Sequence, residues 1–125
     1  MLNNTLTLLT VSREDFKNEY VASNDFGRIV YTSDGKIIKS VEVRDASAEE
    51  IFSFDFNPCY YCFNAEWLWK EIKNLKNNNA QREYYLTDLV NRAANGYKIS
   101  SIRIHPSEAI GVNTKEQLDL AEKLI

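Results

Sequence analysis

Cys59 and Cys62 stand in a CxxC offset, the spacing used both by zinc ligands and by thiol–disulfide exchange. They lie inside the apolar, aromatic run Phe52 to Phe63, which reads as a strand. Successive strand residues alternate faces, so an offset of three sends the thiols to opposite sides, and two buried free thiols are predicted. His105 is the only histidine and precedes Pro106, a setting for a structural or exposed ring. The glycines Gly27, Gly35, Gly96 and Gly111 are too far apart to form a Gly-rich phosphate loop. Asp45, Glu49 and Glu50 fall near helix starts, where carboxylates stabilise the helix dipole. These residues alone supply no complete nucleophile and base, metal cluster or phosphate cradle.

The elements that must position such groups are readable from pattern. Thr5 to Val11 is β-branched and apolar, as in a buried strand, and the polar stretch Ser12 to Asp25 reads as a loop. Arg28 to Thr32 and Lys36 to Val43 flank Ser33-Asp34-Gly35, where Asp-Gly supplies the positive φ of a hairpin turn. Ser47-Ala48-Glu49-Glu50 forms a capping box that opens a short helix. Pro58 cannot donate to a ladder, so the aromatic strand is predicted to bulge or kink near Asn57-Pro58. Asn64 caps a helix running to Leu75, in which Trp67 and Trp69 are both assigned to packing.

Tyr84 to Ala94 has helical periodicity and stops at Asn95-Gly96. Lys98 to His105 reads as a strand ended by Pro106. Thr114-Lys115-Glu116-Gln117 opens a last helix with a second capping-box pattern. The order β, hairpin, β, α, α, β, α predicts an α/β fold with a mixed sheet.

With 125 residues, 44% of them hydrophobic, the chain suits one compact domain over residues 1–125 with a sizeable core. Fifteen basic and eighteen acidic residues, scattered along the chain, give a formal charge of −3, which argues against a nucleic-acid or anionic-lipid footprint. No apolar run is long enough for a membrane span and no signal-peptide pattern opens the sequence, so no membrane partner and a cytoplasmic location are expected.

Asn77 to Asp88, NNNAQREYYLTD, resembles the NNNAQGEYYLTD segment of bacterial N-acetylglucosamine-1-phosphate uridylyltransferases, with one departure in twelve residues. Phe26-Gly27-Arg28-Ile29 looks like that family's YGRI loop and Val41 to Ala46 like its VEHKDA segment. Phe56-Asn57-Pro58-Cys59 stands where the family has INTG, and Gly111-Val112-Asn113-Thr114 where it has GVNN. The resemblance runs from about residue 5 to residue 124. It implies a partial Rossmann-like nucleotidyltransferase fold and a reaction joining UTP and N-acetylglucosamine 1-phosphate into UDP-N-acetylglucosamine and pyrophosphate, with magnesium.

The same resemblance assigns substrate-binding roles to Gly27, Glu42, Asn57, Glu83, Tyr85, Thr87 and Asn113, and magnesium ligation to Asn113. Gly27 lets backbone approach the N-acetyl group, Glu42 accepts from sugar hydroxyls, and Asn57 both donates and accepts. The ligands implied are N-acetylglucosamine 1-phosphate or UDP-N-acetylglucosamine.

The family's opening Gly-rich loop, uracil-contacting segment and magnesium-sharing aspartate have no counterpart here, nor has its hexapeptide-repeat domain. No uridylyl transfer by this chain alone is therefore expected, and the alternative is a non-catalytic remnant acting as a sugar-phosphate-binding or interaction module. Pro58, Cys59 and Arg82 replace a threonine and two glycines of the family pattern. Without the upstream elements, apolar sheet edge and face are expected to be exposed. Self-association or pairing with a separate N-terminal half is predicted, with Phe52 to Phe63 as the seam.

Overall fold

The structure, a computed structural model, describes residues 4–12, 14, 25–52 and 55–124. Strand β1 (Leu6–Ser12) sends Leu6, Leu8 and Thr10 to one buried face at the two-residue period of a strand, and closes with Val11 and Ser12 also buried. It is the central strand of the sheet. On one side it pairs in parallel with β6 (Ile99–Arg103), Leu6 facing Ile99. On the other it pairs antiparallel with β4 (Asp55–Asn57) and β5 (Tyr61–Phe63), so one long segment runs back along it. Val11 faces Phe56 while Leu8 faces Tyr61, a register step of two residues across Pro58 to Tyr60. The predicted bulge at the proline is therefore present, and it divides the expected single strand in two.

Beyond β4 lie β2 (Gly27–Tyr31) and β3 (Ile37–Val41), the predicted hairpin, with Gly35 at φ 81° in its turn. The sheet is mixed, and helices flank it: α1 (Ala48–Ile51), α2 (Ala65–Glu71), α3 (Asp88–Ala94) and α4 (Lys115–Leu124). The predicted loop Ser12 to Asp25 falls outside the described residues except at Ser12, Glu14 and Asp25.

Local capping follows the sequence closely. Ser47 Oγ accepts from the Glu50 amide at 3.2 Å while Glu50 Oε2 accepts from the Ser47 amide at 2.8 Å. Asn64 Oδ1 accepts from the Trp67 amide at 3.0 Å and starts α2. Thr114 Oγ1 and Gln117 do the same for α4 at 3.2 and 3.0 Å. Each such bond satisfies an amide that a helix start otherwise leaves without a partner.

The core gathers Leu6, Leu8, Ile29, Trp67, Leu89, Val90 and Ala93, joining the sheet to α2 and α3. Burying each large apolar side chain contributes about 1.5–3 kcal/mol. Trp67 stacks near Phe63 at 6.1 Å between ring centroids and meets the edge of Tyr97 at 5.6 Å. Asp55 ties three strands together, accepting from the Tyr31 hydroxyl at 2.5 Å and facing Arg103 at 3.6 Å. Burial, with the Asp55 carboxylate adding to it, pushes the Tyr31 phenol well above its ordinary range.

Three expectations are corrected. Both cysteines are exposed, because Cys59 sits on the bulge and Cys62 on the short strand beyond it. Trp69 is 63% exposed: α2 is only two turns long and just one of its faces, that of Trp67 and Glu71, meets the body of the protein. The helix expected from Tyr84 begins at Asp88. Asn79 holds the backbone before it through Nδ2 to the Glu83 carbonyl at 2.6 Å and Oδ1 from the Glu83 amide at 3.1 Å. Such side chain–backbone bonds compete with helix formation.

Candidate functional site

The hairpin and β4 bring the first three predicted site residues together. Gly27 is the register partner of Asn57 across the β2–β4 pairing. A β-carbon at position 27 would lie 3.1 Å from the Val41 carbonyl oxygen and 3.7 Å from Glu42 Oε1, so a side chain here would crowd that backbone oxygen and require it to shift slightly. Glu42, half-buried just past β3, accepts a 2.8 Å hydrogen bond from Thr87 Oγ1. That bond couples the hairpin to the turn before α3.

The segment carrying Glu83, Tyr85 and Thr87 is fixed by its own contacts. The amide of Ala80 donates to Asp45 Oδ1 at 2.8 Å, pinning the segment to the short turn Val43–Asp45. Arg82 takes a left-handed φ of 56°. Thr87 is buried, Tyr85 half-buried and Glu83 exposed. Among the described residues the buried Tyr85 hydroxyl has no partner at full hydrogen-bond geometry, the Gln81 backbone being its polar neighbour. Burial, followed by the carboxylates of Asp45, Glu42 and Glu83, pushes its pKa above the ordinary phenol value.

Asn57 is fully buried. Its Nδ2 donates to Ser40 Oγ at 2.9 Å and to the Tyr61 hydroxyl at 2.7 Å, while Oδ1 accepts from the Cys59 amide at 3.0 Å. Cys59 is in the left-handed region at φ 65°. Although the residue is exposed overall, desolvation by the packed bulge pushes its thiol up and the Glu42 carboxylate adds to this, with a Tyr61 hydrogen bond acting the other way. Burial also drives Tyr61 far above the usual phenol range. Asn57, Cys59, Tyr61, Glu42 and Gly27 thus form one connected neighbourhood.

Asn113 is exposed, and its amide donates to Gln117 Oε1 at 2.5 Å as α4 begins. A β-carbon on Gly111 would meet the Phe26 ring at 3.4 Å, which places this loop beside the residue preceding Gly27. Among the described residues no three of His, Cys, Asp and Glu group to hold a metal ion. Asn113 offers one neutral oxygen, whereas magnesium takes six oxygen ligands, commonly including one or two carboxylates. The residues present do not by themselves fit that ion.

Ser40 and Tyr61 were not legible as members of this neighbourhood. Ser40 reads as an ordinary strand residue, and Tyr61 reaches Asn57 only because the bulge folds the chain back over four residues.

A mixed sheet with flanking helices and this polar cluster at the hairpin end is a partial Rossmann-like nucleotidyltransferase arrangement. No family model matches the chain. The chain is 40% identical over 120 residues to the bifunctional protein GlmU of Geotalea uraniireducens, covering 94% of this chain and 25% of that protein. It is 43% identical over 102 residues to that of Acetivibrio thermocellus, covering 80% and 22%. With that of Clostridium novyi it shares 38% over 101 residues, again 80% and 22%. The chain is similar to one part of these GlmU proteins and spans about a quarter of their length. Among the described residues no helix is long and apolar enough to cross a membrane.

Proposed function

We propose that this chain is the sugar-binding part of a nucleotidyltransferase that makes UDP-N-acetylglucosamine from UTP and N-acetylglucosamine 1-phosphate, and that it is inactive alone. The observation that carries this reading is the joining of Gly27, Glu42, Asn57 and Thr87, residues from four separate motifs, in one neighbourhood. Glu42, held by Thr87, is the acceptor for hexose hydroxyls. Gly27 leaves its backbone clear for the N-acetyl group. The Tyr85 hydroxyl has an unmet hydrogen bond that a polar ligand would complete. Glu83, on the same segment as Tyr85, is a further acceptor for the sugar, and Asn113 would offer one neutral oxygen to a magnesium ion held mainly by carboxylates from another part of the enzyme. Catalysis in such a reaction is chiefly positioning and charge neutralisation.

The triphosphate cradle is assigned to a separate N-terminal half, and the open sheet edge is covered by that half or by a second copy of the chain. Two features support such a partner. Strand β5 pairs only with β1 among the described strands, leaving its outer edge open. Phe52 and Tyr60, at 64% and 45% exposed, lie along the predicted seam. Mixing the chain with a matching N-terminal half and assaying pyrophosphate release from UTP and N-acetylglucosamine 1-phosphate tests the reading. Release from the mixture and from neither part alone is expected. A well-folded mixture that releases nothing, while the chain also fails to bind UDP-N-acetylglucosamine, refutes it.

A further inference from the structure

The hydrogen-bonding capacity of the Asn57 amide is almost wholly taken up inside the protein. A side-chain amide has two N–H donors and two acceptor lone pairs. Both donors are engaged, by Ser40 Oγ at 2.9 Å and the Tyr61 hydroxyl at 2.7 Å. The Cys59 amide donates to Oδ1 at 3.0 Å. This last bond settles which end is oxygen, because a backbone N–H can only donate. One carbonyl lone pair is left.

From this we infer that Cys59 and Tyr61 are positioning residues that restrict Asn57 to accepting from a ligand. The partner it reads is therefore an N–H or O–H donor, such as an acylamino N–H or a ring hydroxyl. This rests on the proposed sugar site and narrows it, since that site by itself allows Asn57 to donate as well. It also gives Cys59 a role in selectivity. Asn57 has no exposed surface. A ligand reaches its last lone pair only when the bulge moves, and Cys59 holds that bulge with a left-handed backbone and a side chain that glycine lacks. Its Sγ leans on the Asn57 carbonyl at 3.8 Å.

Calorimetric titration of the 125-residue chain with UDP-N-acetylglucosamine and with UDP-glucose tests the assignment. Asn57→Asp keeps an acceptor and is expected to bind within about threefold of the parent, whereas Asn57→Leu loses about tenfold or more. Tyr61→Phe frees one N–H, lets the amide turn, and lowers the preference between the two nucleotides if the donor read is the acylamino N–H. An unaltered preference with both affinities reduced assigns the donor to a ring hydroxyl instead. Cys59→Gly is expected to tighten binding several-fold by easing the bulge.

Amide-proton spectra give a readout that does not depend on the Asp variant folding. Both Asn57 side-chain protons should stay protected from exchange when UDP-N-acetylglucosamine binds to the parent chain. Release of either proton on binding overturns the inference, as does an Asn57→Asp variant that folds yet binds no better than Asn57→Leu. Both results leave the sugar site standing. Failure of parent and Cys59→Gly alike to bind either nucleotide removes the sugar site itself, and this inference with it.

Discussion

Arg82→Gly is predicted to stabilise the protein, although it deletes a long charged side chain. Arg82 has φ 56°, a left-handed conformation in which a β-carbon crowds the following carbonyl. The surroundings enforce it: Asn79 grips Glu83 at 2.6 and 3.1 Å, and the Arg82 amide donates to the Asn79 carbonyl at 3.1 Å. The guanidinium is exposed and has no ion-pair partner among the described residues, so removing it sacrifices little. Relief of the left-handed strain contributes about 1–2 kcal/mol. The greater freedom of glycine in the unfolded chain takes back about 0.5–1 kcal/mol. The net gain is about 0.5–1 kcal/mol, or about 2–5 °C in Tm for a chain of this size. Arg82→Ala supplies the control, since it removes the same charge and keeps the β-carbon. Differential scanning calorimetry of the three proteins decides the matter. Equal melting temperatures for the Gly and Ala variants would refute the strain argument.

Asn64→Ala removes the cap of α2 and should cost about 1 kcal/mol by denaturant titration. Thr87→Val takes the hydroxyl from Glu42 and should weaken UDP-N-acetylglucosamine binding about tenfold, with the fold retained by circular dichroism. Tyr85→Phe should leave Tm unchanged or raised, because it deletes a buried hydroxyl that has no partner at full hydrogen-bond geometry among the described residues, while reducing sugar-nucleotide affinity. The Arg92 guanidinium beside Glu71 holds that carboxyl below its usual range. A carboxylate with a depressed folded-state pKa adds stability above its unfolded pKa and loses it as pH falls through the folded value. The Tm difference between the parent and Glu71→Gln should therefore be largest near neutral pH and shrink in acid.

What could be read in advance was local chemistry, and what escaped was competition between neighbours. Ser47, Asn64, Thr114 and the Asp34-Gly35 turn each form within a few residues, so residue type and spacing determine them whatever the rest of the chain does. The sequence places the start of α3 too early because Tyr85 and Leu86 stand three or four residues before Leu89 and Val90, at helical spacing, yet Leu86 remains exposed while Asn79 and Asp45 hold that backbone elsewhere. The thiols were misplaced because face alternation was carried through a bulge that itself breaks the alternation.

Two of the departures from the family pattern join these observations. Cys59 and Arg82 are the only non-glycine residues at positive φ among those described, and each occupies a position where the resembled motif has glycine. The backbone has kept a shape that glycine suits while the side chains have changed. The Cys59 amide donating to Asn57 Oδ1 and the Glu83 amide donating to Asn79 Oδ1 hold that shape in place. A backbone conformation that persists against a left-handed penalty of about 1–2 kcal/mol is set by its surroundings and not by the residue that occupies it. The geometry around Asn57 and the turn before Thr87 is therefore specified by the neighbourhood as a unit. For that reason Gly27, Glu42, Asn57 and Thr87 are brought together in spite of both substitutions.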